Sequence, residues 1–189
     1  VRIGASSVVN FSGSLSNGDV TTSVTRSADP GNGWNLVGNP FTSAIYAKQE
    51  VNGFLVVNSA AIDENYRAIY LWDQVADAYT VVNSTEGQAN LASGQGFFIK
   101  AASGGNVSFT KAMRVHEAGA AFKSGVITSA NIVLSARAGE INSTTKVNFI
   151  EEMTEGLDPS YDAGILRSGN GFDIFTRLVN DNGVDFAVQ

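Results

Sequence analysis

An all-β, antiparallel sandwich is the fold class this sequence predicts, and three observations predict it. Apolar and polar residues alternate in short runs along most of the chain, with the two-residue period of half-buried strands. Turn formers separate those runs: there are 20 glycines, with many Ser, Thr and Asn, against only 3 prolines. No stretch sustains the apolar period of an amphipathic helix. A chain of 189 residues, 43% of them hydrophobic, is long enough to bury a sizeable core. The runs are read as a jelly-roll-like sandwich of two packed lobes, residues 1–117 and 118–189.

The first lobe opens with Val9, Phe11 and Leu15 in alternation, then Asn17-Gly18-Asp19, then Val20, Thr22 and Val24, the pattern of a hairpin. In "GWNLVGNPF" Trp34 and Leu36 share a strand face directed at the core. Gly38 is expected to permit a positive φ, and Asn39-Pro40 to start a turn, because a residue before proline is pushed out of the helical region. This is read as a structural corner. Thr42 to Glu50 is the one segment predicted to hold a helical turn, with an N-cap-type Ser or Thr after Pro40. "AIYLWD" places Tyr70 and Trp72 on one face and Ile69 and Leu71 on the other, and "AYTVV" returns as its hairpin partner. "GFFIKA" and "NVSFTKAMRV" complete the lobe, with Val107, Phe109, Met113 and Val115 in phase.

Small residues from His116 to Gly125 break the alternation and mark the lobe boundary. Beyond it the pattern restarts with Ile132 and Leu134, Val147 and Phe149, Phe172 and Ile174, and finally Val184, Phe186 and Val188. The last run reaches Gln189 without a closing turn, so it is expected to be a free terminal edge open to self-association.

Composition excludes several functions. A formal charge of −6 and a pI near 4.7 disfavour nucleic acid and anionic membrane surfaces. With no cysteine there is no disulfide, thiolate nucleophile or thiolate metal ligand, and a sole histidine, His116, removes the usual zinc patterns. No apolar run approaches the roughly 20 residues that cross a bilayer as a helix. The chain opens at Val1 without Met, mid-pattern and without a signal-like segment, which reads as a mature or excised piece.

Catalytic patterns are weak. "GQGFF" and "GNGW" lack the third glycine and the strand-to-helix setting of a pyrophosphate cradle, so they are turns. His116 lies in a small-residue linker with no nucleophile signature. Glu151 and Glu152 adjoin on opposite faces of one predicted strand, which does not set two acids across a cleft. Two constellations remain as binding candidates. Asp158 and Asp162, with Glu155, offer the hard oxygen ligands of a Ca²⁺ site, although turn and cap roles are preferred. Tyr70, Trp72 and Tyr79, with Trp34, offer flat rings for stacking on sugars if they are exposed, although core packing is preferred. Asn-x-Ser/Thr sequences at Asn10, Asn83, Asn106 and Asn142 match a glycosylation pattern at the frequency such a composition yields by chance.

Taken in order, "NFSGSLSNGD", "GWNLVGNPFTSAI", "IYLWD", "SGQGFFIKA" and "VSFTKAMRVH" resemble a β-sandwich region of large secreted and surface proteins of the Bacteroidetes. That region commonly precedes a type IX secretion C-terminal sorting domain, and "KVNFIEEMTEGLDPSYDAGIL" is similar to its continuation. Where many relatives carry a second Pro this chain has Thr42, where they carry Asp it has Tyr46, and Ala92-Ser93 replace a Pro pair. The resemblance implies an extracellular or cell-surface address and an accessory role. The expectation is therefore a non-catalytic structural or adhesion module beside neighbouring domains of a parent protein, with no membrane insertion and no cofactor beyond the Ca²⁺ candidate. The alternative is a carbohydrate-binding module.

Overall fold

The structure is a computed structural model and describes residues 12–29, 32–87, 89–116, 130–169 and 171–189. Along the chain the described elements are β1 (Val20–Val24), β2 (Trp34–Gly38), β3 (Ala44–Tyr46), α1 (Phe54–Val57), β4 (Ile69–Asp73), β5 (Ala78–Val82), β6 (Asn90–Leu91), β7 (Gly96–Lys100), β8 (Gly105–Phe109), β9 (Arg114–Val115), β10 (Ala130–Ala138), β11 (Ile141–Phe149), β12 (Ala163–Gly164) and β13 (Phe186–Val188). The fold is all-β and sandwich-like. Among the described residues the strands form four sheets, ordered β1-β8, β2-β7-β4-β5, β6-β3-β9 and β10-β11-β13-β12.

The sheet β2-β7-β4-β5 is the middle layer, because both of its faces are apolar. Val37, Ile69, Leu71, Val82, Phe97 and Ile99 point to one side, where they meet Val24, Ile45, Phe54, Leu91, Val107 and Phe109 from the smaller sheets and α1. Tyr70, Val81, Trp34, Tyr79 and Phe98 point to the other side, where they meet Ala163, Leu166 and Val188. Strand alternation sends successive side chains to opposite faces, so a central strand buried on both sides must be apolar at nearly every position. "AIYLWD" and "GFFIKA" meet that condition, and β4 pairs with β5 in the expected register, Ile69↔Val82 through Asp73↔Ala78.

Several expectations are corrected. β1 pairs with β8, Val20↔Phe109 to Val24↔Gly105, a partner the sequence did not announce; Leu15 is exposed, and the hairpin expected with the preceding run falls partly outside the described residues, at Val9 and Phe11. The Thr42–Glu50 segment holds strand β3, since Ile45 is completely buried between Leu91 and Arg114 partners, and the helical turn comes later at α1. Here tertiary burial overrides a local cap signal. α1 follows Gly53, where a Cβ would lie 2.4 Å from the Gln49 nitrogen, so only glycine fits the approach. Leu36 is 66% exposed and does not enter the core that Val37 fills from the other face. The phase running from Val107 to Val115 is interrupted by a 3-10 turn at Lys111–Met113.

In the second lobe Phe172 and Ile174 are not in a strand, and only Thr176 bridges to Phe186. Glu151 and Glu152 fall in the turn after β11, with Glu152 at φ 73°, so they do not share a strand. The terminal run is not a free edge. β13 lies inside its sheet, parallel to β11 through Lys146↔Val188 and antiparallel to β12, with Phe186 fully buried. A strand with no later partner in sequence finds its partners earlier in the chain.

One polar contact pins the second lobe to the middle layer. The Tyr70 hydroxyl donates to the Gly164 carbonyl at 2.7 Å from a completely buried ring. A Cβ at Gly164 would lie 2.4 Å from Tyr66 Cε1, so that ring packs directly on the glycine. Tyr70→Phe removes the donor from a buried carbonyl, and the expected loss is about 1–3 kcal/mol. Gly164→Ala is expected to destabilise as well by displacing Tyr66. Both should appear in urea unfolding as a lower midpoint at unchanged slope; a Tyr70→Phe chain as stable as the wild type would remove this contact from the account.

Candidate functional site

The corner that follows β2 is built by Asn39, which is nearly buried. Its amide nitrogen donates to the carbonyls of Ser43 at 2.8 Å and Ala92 at 3.0 Å, and its Oδ1 accepts from the Phe41 N–H at 3.0 Å. An Asn side chain can stand in for a turn of backbone in this way, which leaves none of these groups facing a ligand. Within "GWNLVGNPF" the glycine with positive φ is Gly33, at 107°, and Gly38 instead sits in β2 opposite Gly96.

The aromatic candidates separate into two groups. Tyr70 is core. Trp34 is half-buried and meets Tyr66 and Tyr70 edge-on, with ring centres 5.5 and 4.8 Å apart. Lys100 Nζ lies 3.5 Å from the centre of the Tyr66 ring, a cation-π contact at the lobe seam. Burial holds the Lys100 ammonium below its ordinary pKa, partly offset by the nearby Asp63 carboxylate, and burial raises the hydroxyls of Tyr66 and Tyr70. Trp72 differs from these. It is 47% exposed and leans on Tyr79 at 5.0 Å and 66° between planes.

Tyr79 in turn lines a cleft of about 220 Å³ between β5 and the second lobe, with Asn142, Ser143, Phe172 and Asp173 on the facing wall. Sequence reasoning placed Tyr79 on the hairpin face but missed this wall. Asn142 and Asp173 lie far from Tyr79 in sequence, and no local pattern announces their approach. Since the Trp72 and Tyr79 planes are tilted, a flat ligand can stack fully on only one of them.

The acidic loop is internally hydrogen-bonded. Asp158 accepts from the Thr154 N–H at 2.8 Å, and Asp162 accepts from the Asp158 N–H at 2.7 Å. Among the described residues no three His, Cys, Asp or Glu side chains converge as a metal cluster, so Glu155 does not complete a cage with the two aspartates. Burial raises Asp162 to about 6, against the lowering effect of the Asp158 N–H, and its residue is 5% exposed. The loop borders a partly apolar pocket of about 350 Å³, with Met153, Leu178 and Arg177.

His116 is exposed at the end of the first described lobe. Asn83 is fully buried: its Oδ1 accepts from the Thr85 and Glu86 N–H groups at 3.0 and 2.7 Å, and its amide donates to Tyr161. It therefore ties the lobes together and offers no attachment point for a sugar. Asn106 and Asn142 are exposed, and Asn10 lies outside the described residues. Two ion-pair groups went unnoticed in the sequence. Lys146 pairs with Glu86 at 2.7 Å across the seam, and Asp185 accepts from Arg167 at 2.5 Å and Arg177 at 2.9 Å.

Residues 3–85 are similar to a family described as a domain of unknown function (DUF8693). The similarity takes in Trp34, Tyr70, Trp72 and Tyr79 and ends before β6, so it leaves out the Asp158–Asp162 loop and the facing wall of the cleft. No curated protein and no solved structure significantly matches the chain.

Two outcomes follow for the acidic loop. Asp162 binds a proton more tightly folded than unfolded, so its contribution is full below the unfolded value near 4 and is lost as pH rises towards 6. Asp162→Asn keeps an oxygen for the Asp158 N–H and is expected to remove that slope, stabilising the fold at pH 7 by on the order of 1–3 kcal/mol. Melting temperatures of both chains from pH 4 to 7 test this, and parallel curves would contradict it. With both aspartates engaged by the loop's own N–H groups, a chelator is expected to leave the melting temperature unchanged; a rise with added Ca²⁺ would establish a site.

Proposed function

We infer that this chain is a non-catalytic structural or adhesive module of a larger secreted or cell-surface protein, of the Bacteroidetes kind whose motif order it resembles. The observation that carries this reading is the interlocking of the lobes. The middle sheet is buried on both faces, and its aromatic side is closed by β12 and β13 rather than left as a binding face. A block joined through Tyr70, Asn83 and the Lys146–Glu86 pair suits the spacing and presentation of neighbouring parts. A polar, acidic, cysteine-free β surface is also compatible with an extracellular setting.

A carbohydrate-binding role is the second reading, favoured by one observation. Trp72 is exposed and leans on Tyr79, which lines a cleft that carries amide, hydroxyl and carboxylate groups. One freely presented ring gives this reading less support than the closed sheet gives the first.

The structural module is expected to unfold in a single calorimetric transition, with tryptophan fluorescence and far-ultraviolet circular dichroism coinciding. Two separated transitions would mean lobes that do not act as one block. Soluble polysaccharides are expected to leave tryptophan fluorescence unchanged. A saturable quench, abolished by Trp72→Ala in a chain that stays folded, would reverse the order of the two readings. Because Trp72 is about half exposed, that substitution is expected to cost clearly less than the roughly 3–5 kcal/mol of a fully buried aromatic truncation such as Phe97→Ala.

A further inference from the structure

Among the described residues, Arg67 is the arginine left without an acceptor. Arg26 is paired with Asp63, Arg137 with Glu140, and Arg167 and Arg177 with aspartates, while Arg114 donates to Asn17 and to the Lys111 carbonyl. Arg67 Nε is buried with no hydrogen-bond partner, and no carboxylate among the described residues forms an ion pair with its guanidinium. An enclosed cationic donor with nothing to donate to is unfavourable, and such a group in a folded protein points to a missing acceptor.

The surroundings of Arg67 are built where the chain crosses from α1 back to the middle sheet. Ile62 bridges to Ala101, and the Asp63 N–H donates to the Lys100 carbonyl at 2.9 Å. The Asp63 carboxylate then accepts from the Asn65 N–H at 3.1 Å, which opens the 3-10 turn Glu64–Tyr66, and Arg67 ends that turn. Arg26, just past β1, reaches the same place, where its Nη1 donates to Asp63 and, at 2.7 Å, to the Ala101 carbonyl. Between these elements lies a pocket of about 440 Å³, within the roughly 300–1,000 Å³ of small-molecule sites. Ser59, Glu64 and Arg67 line it, with Ile62 and Ala102 among its apolar walls.

The charges of the pocket select the kind of ligand. Arg26 neutralises Asp63, so the free cation is Arg67 and the free carboxylate is the exposed Glu64. A guanidinium fork matches a carboxylate with two parallel hydrogen bonds. A glutamate and a serine hydroxyl accept from hydroxyl groups. A ligand that carries one carboxylate and several hydroxyls satisfies both sets at once. A bare anion meets Glu64 without compensation, a doubly charged phosphate more so, and a neutral sugar leaves Arg67 unpaired. We propose that this pocket binds the carboxylate of a sugar acid, with Arg67 as the fork and with Ser59 and Glu64 holding ring hydroxyls. The pocket shares no residue with the cleft beside Tyr79, so the two sites stand independently.

Sodium glucuronate titrated into the isotopically labelled chain at constant ionic strength tests this, with acetate, phosphate and glucose as comparison ligands. Glucuronate is expected to shift the amide resonances of Ser59 and Glu64 to Arg67 saturably, and to raise the melting temperature by mass action. Acetate, phosphate and glucose are each expected to bind at least about tenfold more weakly, because each lacks one of the two sets of contacts. Arg67→Gln is expected to abolish the response with circular dichroism unchanged, and Arg67→Lys to weaken it about tenfold, since the charge stays and the fork is lost. If Arg67→Gln does not fold, Arg67→Lys and the exposed-site variant Glu64→Ala carry the test, the latter lowering glucuronate affinity towards that of acetate. No saturable response up to about 100 mM glucuronate overturns the proposal. So does acetate, phosphate or glucose binding as tightly as glucuronate, or a response that the Arg67 variants leave unchanged.

Discussion

Everything else in this molecule is arranged around a sheet with no wet face. Because β4 and β7 are apolar at alternate positions in both phases, the middle sheet must be covered twice, once by the small sheets and α1 and once by the C-terminal lobe. Tyr70 shows how strict that requirement is. Its ring is completely buried, so its hydroxyl must find an acceptor, and the Gly164 carbonyl supplies one. The glycine at that position is what lets the backbone come close enough beneath Tyr66. A hydrophobic demand in one lobe thereby fixes a residue type in the other.

Amides are prominent among the polar groups that this stacking encloses, beside the buried carboxylates of Asp63, which pairs with Arg26, and Asp162. Asn39, Asn58 and Asn83 are all buried, and each makes at least one donor and one acceptor contact with backbone at a loop. An amide can do both at once without the desolvation cost of an ion, which suits a fold made of many short strands with irregular joints. Of the other charged pairs, Lys146–Glu86 spans the seam, and Arg167 and Arg177 hold Asp185 at the surface. Solvent screens those outer pairs, so they orient the loops around β13 more than they stabilise the fold.

The same economy of burial determines where interaction surface is left. Aromatic residues that would make a platform on a one-sided sheet are spent between layers, except Trp72, which stands beyond the cover that the second lobe provides. Ile132, Val133, Leu134 and Phe149 leave apolar surface exposed on the β10–β11 ribbon, as Leu36, Val75 and Val179 do elsewhere.

What the sequence by itself determined is local and periodic. The all-β class, the β4–β5 hairpin with its facing residues, the strand at "GFFIKA" and the inward pair Phe186 and Val188 all follow from two-residue alternation bounded by turn formers. Tertiary structure decided which strand meets which: β1 with β8 across most of the first lobe, and β13 inside a sheet rather than at its edge. It also decided exposure, since Tyr70 and Trp72 share a face and a strand yet one is buried and the other half in water. Alternation reports only that a face is apolar. What covers that face depends on residues far along the chain, as Gly164 is 94 positions from Tyr70, and no local period carries that information.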